Sequence, residues 1–420
     1  MPAKRWWKSI QLGPGLVFVL AAVGPQDLIV NSTAGAGYGY ALLWTVLLVV
    51  IARFVLLEAT ARFVVVTGKT LMSGYAEAGN WTTRLILFAI VVKRHLNGLS
   101  QLLLLGSSLH LIAPLPMRWS LVFWSLLSWI LGFSMMYWGK YKFIERFSKP
   151  MAVILGGTLL LIAVAARPDL TQVAKGIFIP SIPDGYGYSP ALVILALIGA
   201  GSGSLGNLKY AAFVHEKGWN SLAFLRKQRI DLCIGGLSLF FMLAMMQIAA
   251  AGVLYPSTIK LREIEDLLPM FTSALGFAGR FVLGICVWSA VFTTYLGSCT
   301  GDCLLVSDIY YNNLRRPAGG KTIGNHSSTQ AYRWTLAFAC LSPLYVFFTS
   351  LEPLFLVLLS SAVVALLLPV MTGVLLWLTT RKDTMGTHVN GPVATAMMVC
   401  ISLATFYLAY QNALELWAKL

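Results

Sequence analysis

The chain has 420 residues, of which 58% are hydrophobic and 11% charged. Soluble domains carry about 25% charge, so with a mean hydropathy of +0.75 most of this length faces lipid or membrane-buried protein, which excludes a cytosolic enzyme. The net charge of +15 does not indicate nucleic acid, because the Lys and Arg residues sit in short loops between apolar runs rather than on one basic, water-soluble face.

A spanning helix needs about 20 mostly apolar residues. Eleven stretches qualify, at approximately 13–34, 41–66, 84–112, 119–138, 148–166, 188–213, 230–254, 276–300, 332–349, 353–379 and 391–415. The first is not a cleavable signal peptide: Gln26, Asp27, Asn31 and Ser32 interrupt it and no small-residue cleavage site follows. With the N-terminus in the cytoplasm, the inner loops hold 20 Lys and Arg residues against 7 outside, the asymmetry that fixes orientation. An odd helix count then leaves the C-terminus outside. The longest stretches between spans, 255–275 and 312–331, are too short to fold alone, so residues 1–420 are expected to form a single transmembrane domain.

Two spans are interrupted. In the first, Gly24-Pro25-Gln26-Asp27 follows an apolar run, and Pro25 cannot donate the helix hydrogen bond its position demands. In the sixth, Gly199-Ala200-Gly201-Ser202-Gly203-Ser204-Leu205-Gly206-Asn207 holds four glycines in nine residues, too many for an undisturbed helix. Irregular backbone at membrane depth is tolerated only where it is buried in protein or lines a cavity. The two breaks open helices one to five and six to ten, the placement expected of inverted repeats around a midplane site. The repeats are expected at about 13–166 and 188–379, with an extra helix at about 391–415.

The third span carries Lys93, Arg94, His95 and Asn97 but no carboxylate. Intramembrane cations cost several kcal/mol unless paired or hydrated. Lys93 or Arg94 should therefore meet Asp27, Glu58, carbonyls or an anionic substrate, or else both snorkel to the cytoplasm. Glu58 and Arg62 are spaced as an ion pair on one helix face. Asp302 and Asp308 read as a solvated helix end or a cytoplasmic gate, and Lys209 as facing the inner vestibule or snorkelling. Cys299 and Cys303 lie four apart and read as small buried packing residues, with two soft metal ligands as the other reading.

Gly13-Pro14-Gly15, the Gly24-Pro25 element, Ala34-Gly35 and Leu42-Leu43-Trp44 resemble the first-helix region of the NRAMP (natural resistance-associated macrophage protein) divalent-metal transporters. So do Arg62 with Val66-Thr67-Gly68-Lys69, Gly176 to Pro180, Asn207, Gly301 and Leu368-Pro369. The resemblance covers nearly the whole chain. It implies an all-α polytopic membrane protein with a LeuT-like five-plus-five inverted repeat, helices one and six interrupted, and one extra helix. The family's Asp-Pro-Gly-Asn aligns with Gly24-Pro25-Gln26-Asp27, so its metal-binding Asp is Gly24 and its Asn is Asp27. Its Met-Pro-His-Asn resembles Ser204-Leu205-Gly206-Asn207, with the thioether and imidazole gone. Loss of that imidazole and of the first-helix Asp removes groups that resemble the family's proton path, which puts proton coupling in question; where family members place acids in the third helix, this chain has Lys93 and Arg94.

Carboxylate, carbonyl and hydroxyl oxygens suit magnesium, calcium or manganese, whereas a thioether selects softer metals. The expected substrate site is thus Gly24, Pro25, Gln26 and Asp27 with Ala200, Gly201, Ser202, Gly203, Ser204 and Asn207. Asp27 and Asn207 are its candidate metal ligands, and Lys93, Arg94, His95, Asn97 and Glu58 its intramembrane polar positions. The expected function is alternating-access transport of a hard divalent cation, Mg²⁺ or Mn²⁺ rather than Fe²⁺, with no cofactor. The alternatives are transport of a small anion or zwitterion, and a non-transporting sensor. No His-Glu-x-x-His, Gly-x-Ser-x-Gly or paired intramembrane aspartates suggest an enzyme. The expected partners are the bilayer of a prokaryotic plasma membrane and a small ion or solute. Oligomeric state stays open, and a monomer would suffice.

Overall fold

A computed structural model describes residues 24–116, 119–138, 156–182, 188–202, 204–219, 221–255, 261–314 and 329–417, and all regular structure among them is helical. The interrupted first span contributes α1 (Pro25–Tyr38), which starts at the predicted break: Gly24 is extended and Pro25 takes the first helical turn, where its missing N–H costs nothing. Its predicted first half, 13–23, lies outside the described residues. After it come α2 (Leu43–Thr67), ended by Gly68 at φ 66°, the short α3 (Leu71–Glu77), α4 (Asn80–Ile112), α5 (Ser120–Trp138) and α6 (Gly156–Ala165). The short α7 (Leu170–Phe178) starts at Asp169, whose carboxylate accepts the Thr171 N–H at 2.8 Å.

The second half holds α8 (Pro190–Ser202), α9 (Ser204–Glu216), α10 (Leu225–Val253), α11 (Leu268–Leu275), α12 (Ala278–Asp308), α13 (Gln330–Leu341), α14 (Pro353–Thr380) and α15 (Pro392–Trp417). Gly203, between α8 and α9, lies outside the described residues. Among the described residues, six helical stretches are long and apolar enough to cross a membrane, including α2, α10 and α14. α4 is long enough at 33 residues.

Two expectations are corrected here. The eighth span does not end near 300: α12 runs to Asp308 and continues as a π-helical turn, Ile309–Leu314. Asp302 is 1% exposed and Asp308 6%, so neither is a solvated helix end. The ninth span does not run straight through 332–349 but stops at Leu341. A 3₁₀ segment, Leu344–Phe348, follows Pro343, which has no N–H to continue the ladder.

The helices pack as two groups. α1 and α2 lie against α8 and α10, and α2 also against α9. α4 lies against α5 and α12, which also packs on α13. α14 bridges α8 and α4, and α9 meets α12 across the boundary. Glycines set the closest approaches: a Cβ at Gly35 of α1 would overlap the Gln247 carbonyl of α10, and one at Gly199 of α8 would overlap the Ser361 carbonyl of α14.

Candidate functional site

The start of α1 is tied to both helix groups. Asp27 is 2% exposed, and its Oδ2 accepts the Gly24 N–H at 3.2 Å, closing the first turn on itself. The Asn31 side chain donates to the Asp27 carbonyl at 2.7 Å. Asp27 Oδ1 has no hydrogen-bond partner among the described residues. Gln26 Nε2 donates to Asn97 Oδ1 on α4 at 2.7 Å and to Ser360 Oγ on α14 at 3.2 Å. Two predicted site residues, Gln26 and Asn97, are therefore brought together across the helix groups.

At the second break, Arg53 of α2 is buried and its Nη1 donates to the Gly201 carbonyl at 3.0 Å. Carbonyls near an interrupted helix lack the usual amide partner, and the guanidinium satisfies this one. Arg53 and Lys93 are also the charged neighbours of Asp27. Ala200 is partly buried. Nothing is described of the side chains of Pro25, Ser202 and Ser204, or of Gly203. Asn207 Oδ1, on a residue 5% exposed, has no hydrogen bond among the described residues. It lines a narrow cleft with Thr60, Tyr75, Met371 and Thr372, whose Thr372 Oγ1 is likewise unpartnered among the described residues. No hydrogen bond joins Asp27 to Asn207.

Sequence reasoning missed the acid that Arg94 of the third span approaches. Asp302 of α12 lies 2.7 Å from Lys209 Nζ of α9 and 4.0 Å from Arg94 Nη1 of α4. Lys209 also donates to Ser298 Oγ at 2.7 Å, and Arg94 to Gln101 Oε1. The stem of Lys209 lies against Gly301, where a Cβ would sit 2.9 Å from its Cδ and Cγ. Lys93 and Arg94, 8% and 1% exposed, do not snorkel. Arg53, Lys209 and Asp302 were detectable in the sequence as charges inside apolar runs, but spacing along one helix does not show a partner on another.

The remaining predicted positions point elsewhere. His95 faces α13 and the segment after it, with Nδ1 3.2 Å from Ser342 Oγ and Nε2 3.0 Å from the Tyr345 hydroxyl. Glu58 pairs with Arg62 at 3.4 Å and with Arg229 of α10 at 2.8 Å. Cys299 and Cys303 are fully buried free thiols. Among the described residues no three His, Cys, Asp or Glu side chains gather into a resident metal centre.

The sequence matches the family profile described as "Natural resistance-associated macrophage protein-like" over residues 15–415. It is 24% identical to the divalent metal cation transporter MntH of Aeromonas hydrophila over 319 residues, covering 73% of this chain and 75% of that one. In structure it resembles the manganese transporter of Eremococcus coleocola, solved with an aromatic bis-isothiourea compound. That match has a TM-score of 0.78 at 14% identity and covers 97% of this chain and 87% of the other. MhsT, solved with L-phenylalanine, matches with a TM-score of 0.53 at 14% identity over 96% and 99% of the two chains.

Proposed function

The chain belongs to the natural resistance-associated macrophage protein-like family of integral membrane transporters, and from that premise we propose that it moves a hard divalent cation, Mn²⁺ or Mg²⁺ rather than Fe²⁺. Its LeuT-like fold supports alternating access around the two helix breaks. The cation reading rests on relatives such as MntH, a divalent metal cation transporter, and on the oxygen chemistry at the breaks. The observation that carries it is Asp27 Oδ1: a carboxylate oxygen buried at the start of α1 with no hydrogen bond, in a setting where an unsatisfied charged acceptor costs several kcal/mol. Asn207 Oδ1 and Thr372 Oγ1 add neutral oxygens without partners. No thioether or imidazole stands in the sixth-span motif to favour a softer ion.

Thermal-shift titration of the purified protein with Mn²⁺, Mg²⁺, Ca²⁺, Fe²⁺ and Cd²⁺, paired with uptake into proteoliposomes, tests this reading. Saturable stabilisation by Mn²⁺ or Mg²⁺, saturable uptake of the same ion, and loss of both in Asp27→Ala are expected. A response to Fe²⁺ or Cd²⁺ alone would remove the hard-ion reading. Binding without uptake would make the protein a sensor.

A further inference from the structure

We propose that Lys93 holds a small singly charged anion, a halide or a carboxylate group, inside the membrane beside the two helix breaks. Its ammonium is carried on the middle of α4, 8% exposed as a residue. No hydrogen bond or ion pair to it exists among the described residues. The charged groups near it are Arg53 on α2, Arg94 on α4 itself, Lys209 on α9, Asp302 on α12 and Asp27 on α1; the helices packed directly on α4, apart from α12, add none of these.

Four cations thus share this interior with two carboxylates, and both carboxylates are engaged. Asp302 takes Lys209 at 2.7 Å with Arg94 at 4.0 Å, and Asp27 accepts the Gly24 amide and has Arg53 as a charged neighbour. The guanidinium groups of Arg53 and Arg94 cannot shed their protons, so they hold their charge in any state of the protein. Arg94 also has two nitrogens, Nε and Nη1, without a hydrogen-bond acceptor. A lysine head group held inside the membrane without an ion pair is costly unless something offsets its charge. A compact ammonium with three donors suits a compact, singly charged acceptor.

The anion is a second ligand and does not require the cation reading. If that reading holds, the two ligands help each other, because an anion at Lys93 offsets the positive field against which a divalent ion must approach Asp27. Linkage makes this help reciprocal.

The test uses the full chain in detergent with EDTA and a gluconate background, titrated separately with chloride and with formate while the unfolding midpoint is read. A saturable rise of about 3 °C or more with either anion is expected for the wild type. In Lys93→Met the half-saturating concentration should rise at least about tenfold, while Lys93→Arg keeps the response. Lys93→Met removes an unpaired charge and should fold at least as stably as wild type in gluconate, so a lost response cannot be ascribed to misfolding. No saturable rise in the wild type with either anion, or an unchanged response in Lys93→Met, overturns the proposal. A parallel Mn²⁺ and Mg²⁺ titration separates the two ideas: a metal response without an anion response sinks only the anion site, and the converse sinks only the cation reading.

Discussion

Asp27 divides its work between two oxygens. Oδ2 caps the first turn of α1 through the Gly24 amide, whereas Oδ1 has no partner. Two substitutions separate these roles. Asp27→Asn keeps an acceptor for the Gly24 amide and removes the charge, so its stability should stay close to wild type. Asp27→Ala also removes the cap, worth about 1 kcal/mol, and its unfolding midpoint should fall by about 1 °C. Both should lose saturable uptake if the carboxylate ligates the transported ion. Full uptake by Asp27→Asn, measured beside a normal midpoint, would leave the charge with no ligating role.

The contact between α9 and α12 carries a buried ion pair, Lys209 with Asp302, at the boundary between the helix groups. Breaking one side of such a pair strands a charge at a cost of about 3–5 kcal/mol, whereas replacing both with apolar groups of similar size is often neutral. Lys209→Met and Asp302→Leu should each lower stability by that order, and the double variant should recover most of the loss. Additive losses in a double-mutant cycle would show that the pair does not act as a unit. Helix packing gives a second expectation. Gly199→Ala would drive a methyl group into the Ser361 carbonyl, so α8 and α14 must separate, at about 1–3 kcal/mol, seen as a lower unfolding midpoint. The start of α1 was legible in the sequence because Gly24 and Pro25 act locally on their own backbone. Asp302 was not: on its own helix it looks like a helix end, and its meaning comes from Lys209 and Arg94, distant in sequence and brought near by the fold. For the same reason nothing in the neighbours of Arg53 in sequence shows that it meets the Gly201 carbonyl.

At the scale of the whole molecule, ion pairs among the described residues join loops that the sequence places on the same side. Lys69 pairs with Glu77 at 2.8 Å, and Arg381 reaches both Glu77, at 3.4 Å, and Asp383. These residues come from loops far apart in sequence, and the sequence assigns all of them to the cytoplasm. Arg262 and Glu352, from loops assigned to the outside, meet at 3.7 Å. A protein that keeps most of its Lys and Arg on one face gains from the anionic lipids of the cytoplasmic leaflet and resists translocation of that face. The orientation that follows is tested by labelling single cysteines on intact cells with a membrane-impermeant maleimide. The background has the exposed Cys233 and Cys400 changed to Ala. Thr171→Cys, exposed on α7, should react from outside, and Ser221→Cys, exposed ahead of α10, should react only after the cells are opened. The reverse pattern would turn the molecule over, and the 20-to-7 loop asymmetry would then have to be overridden by the charged and interrupted spans themselves.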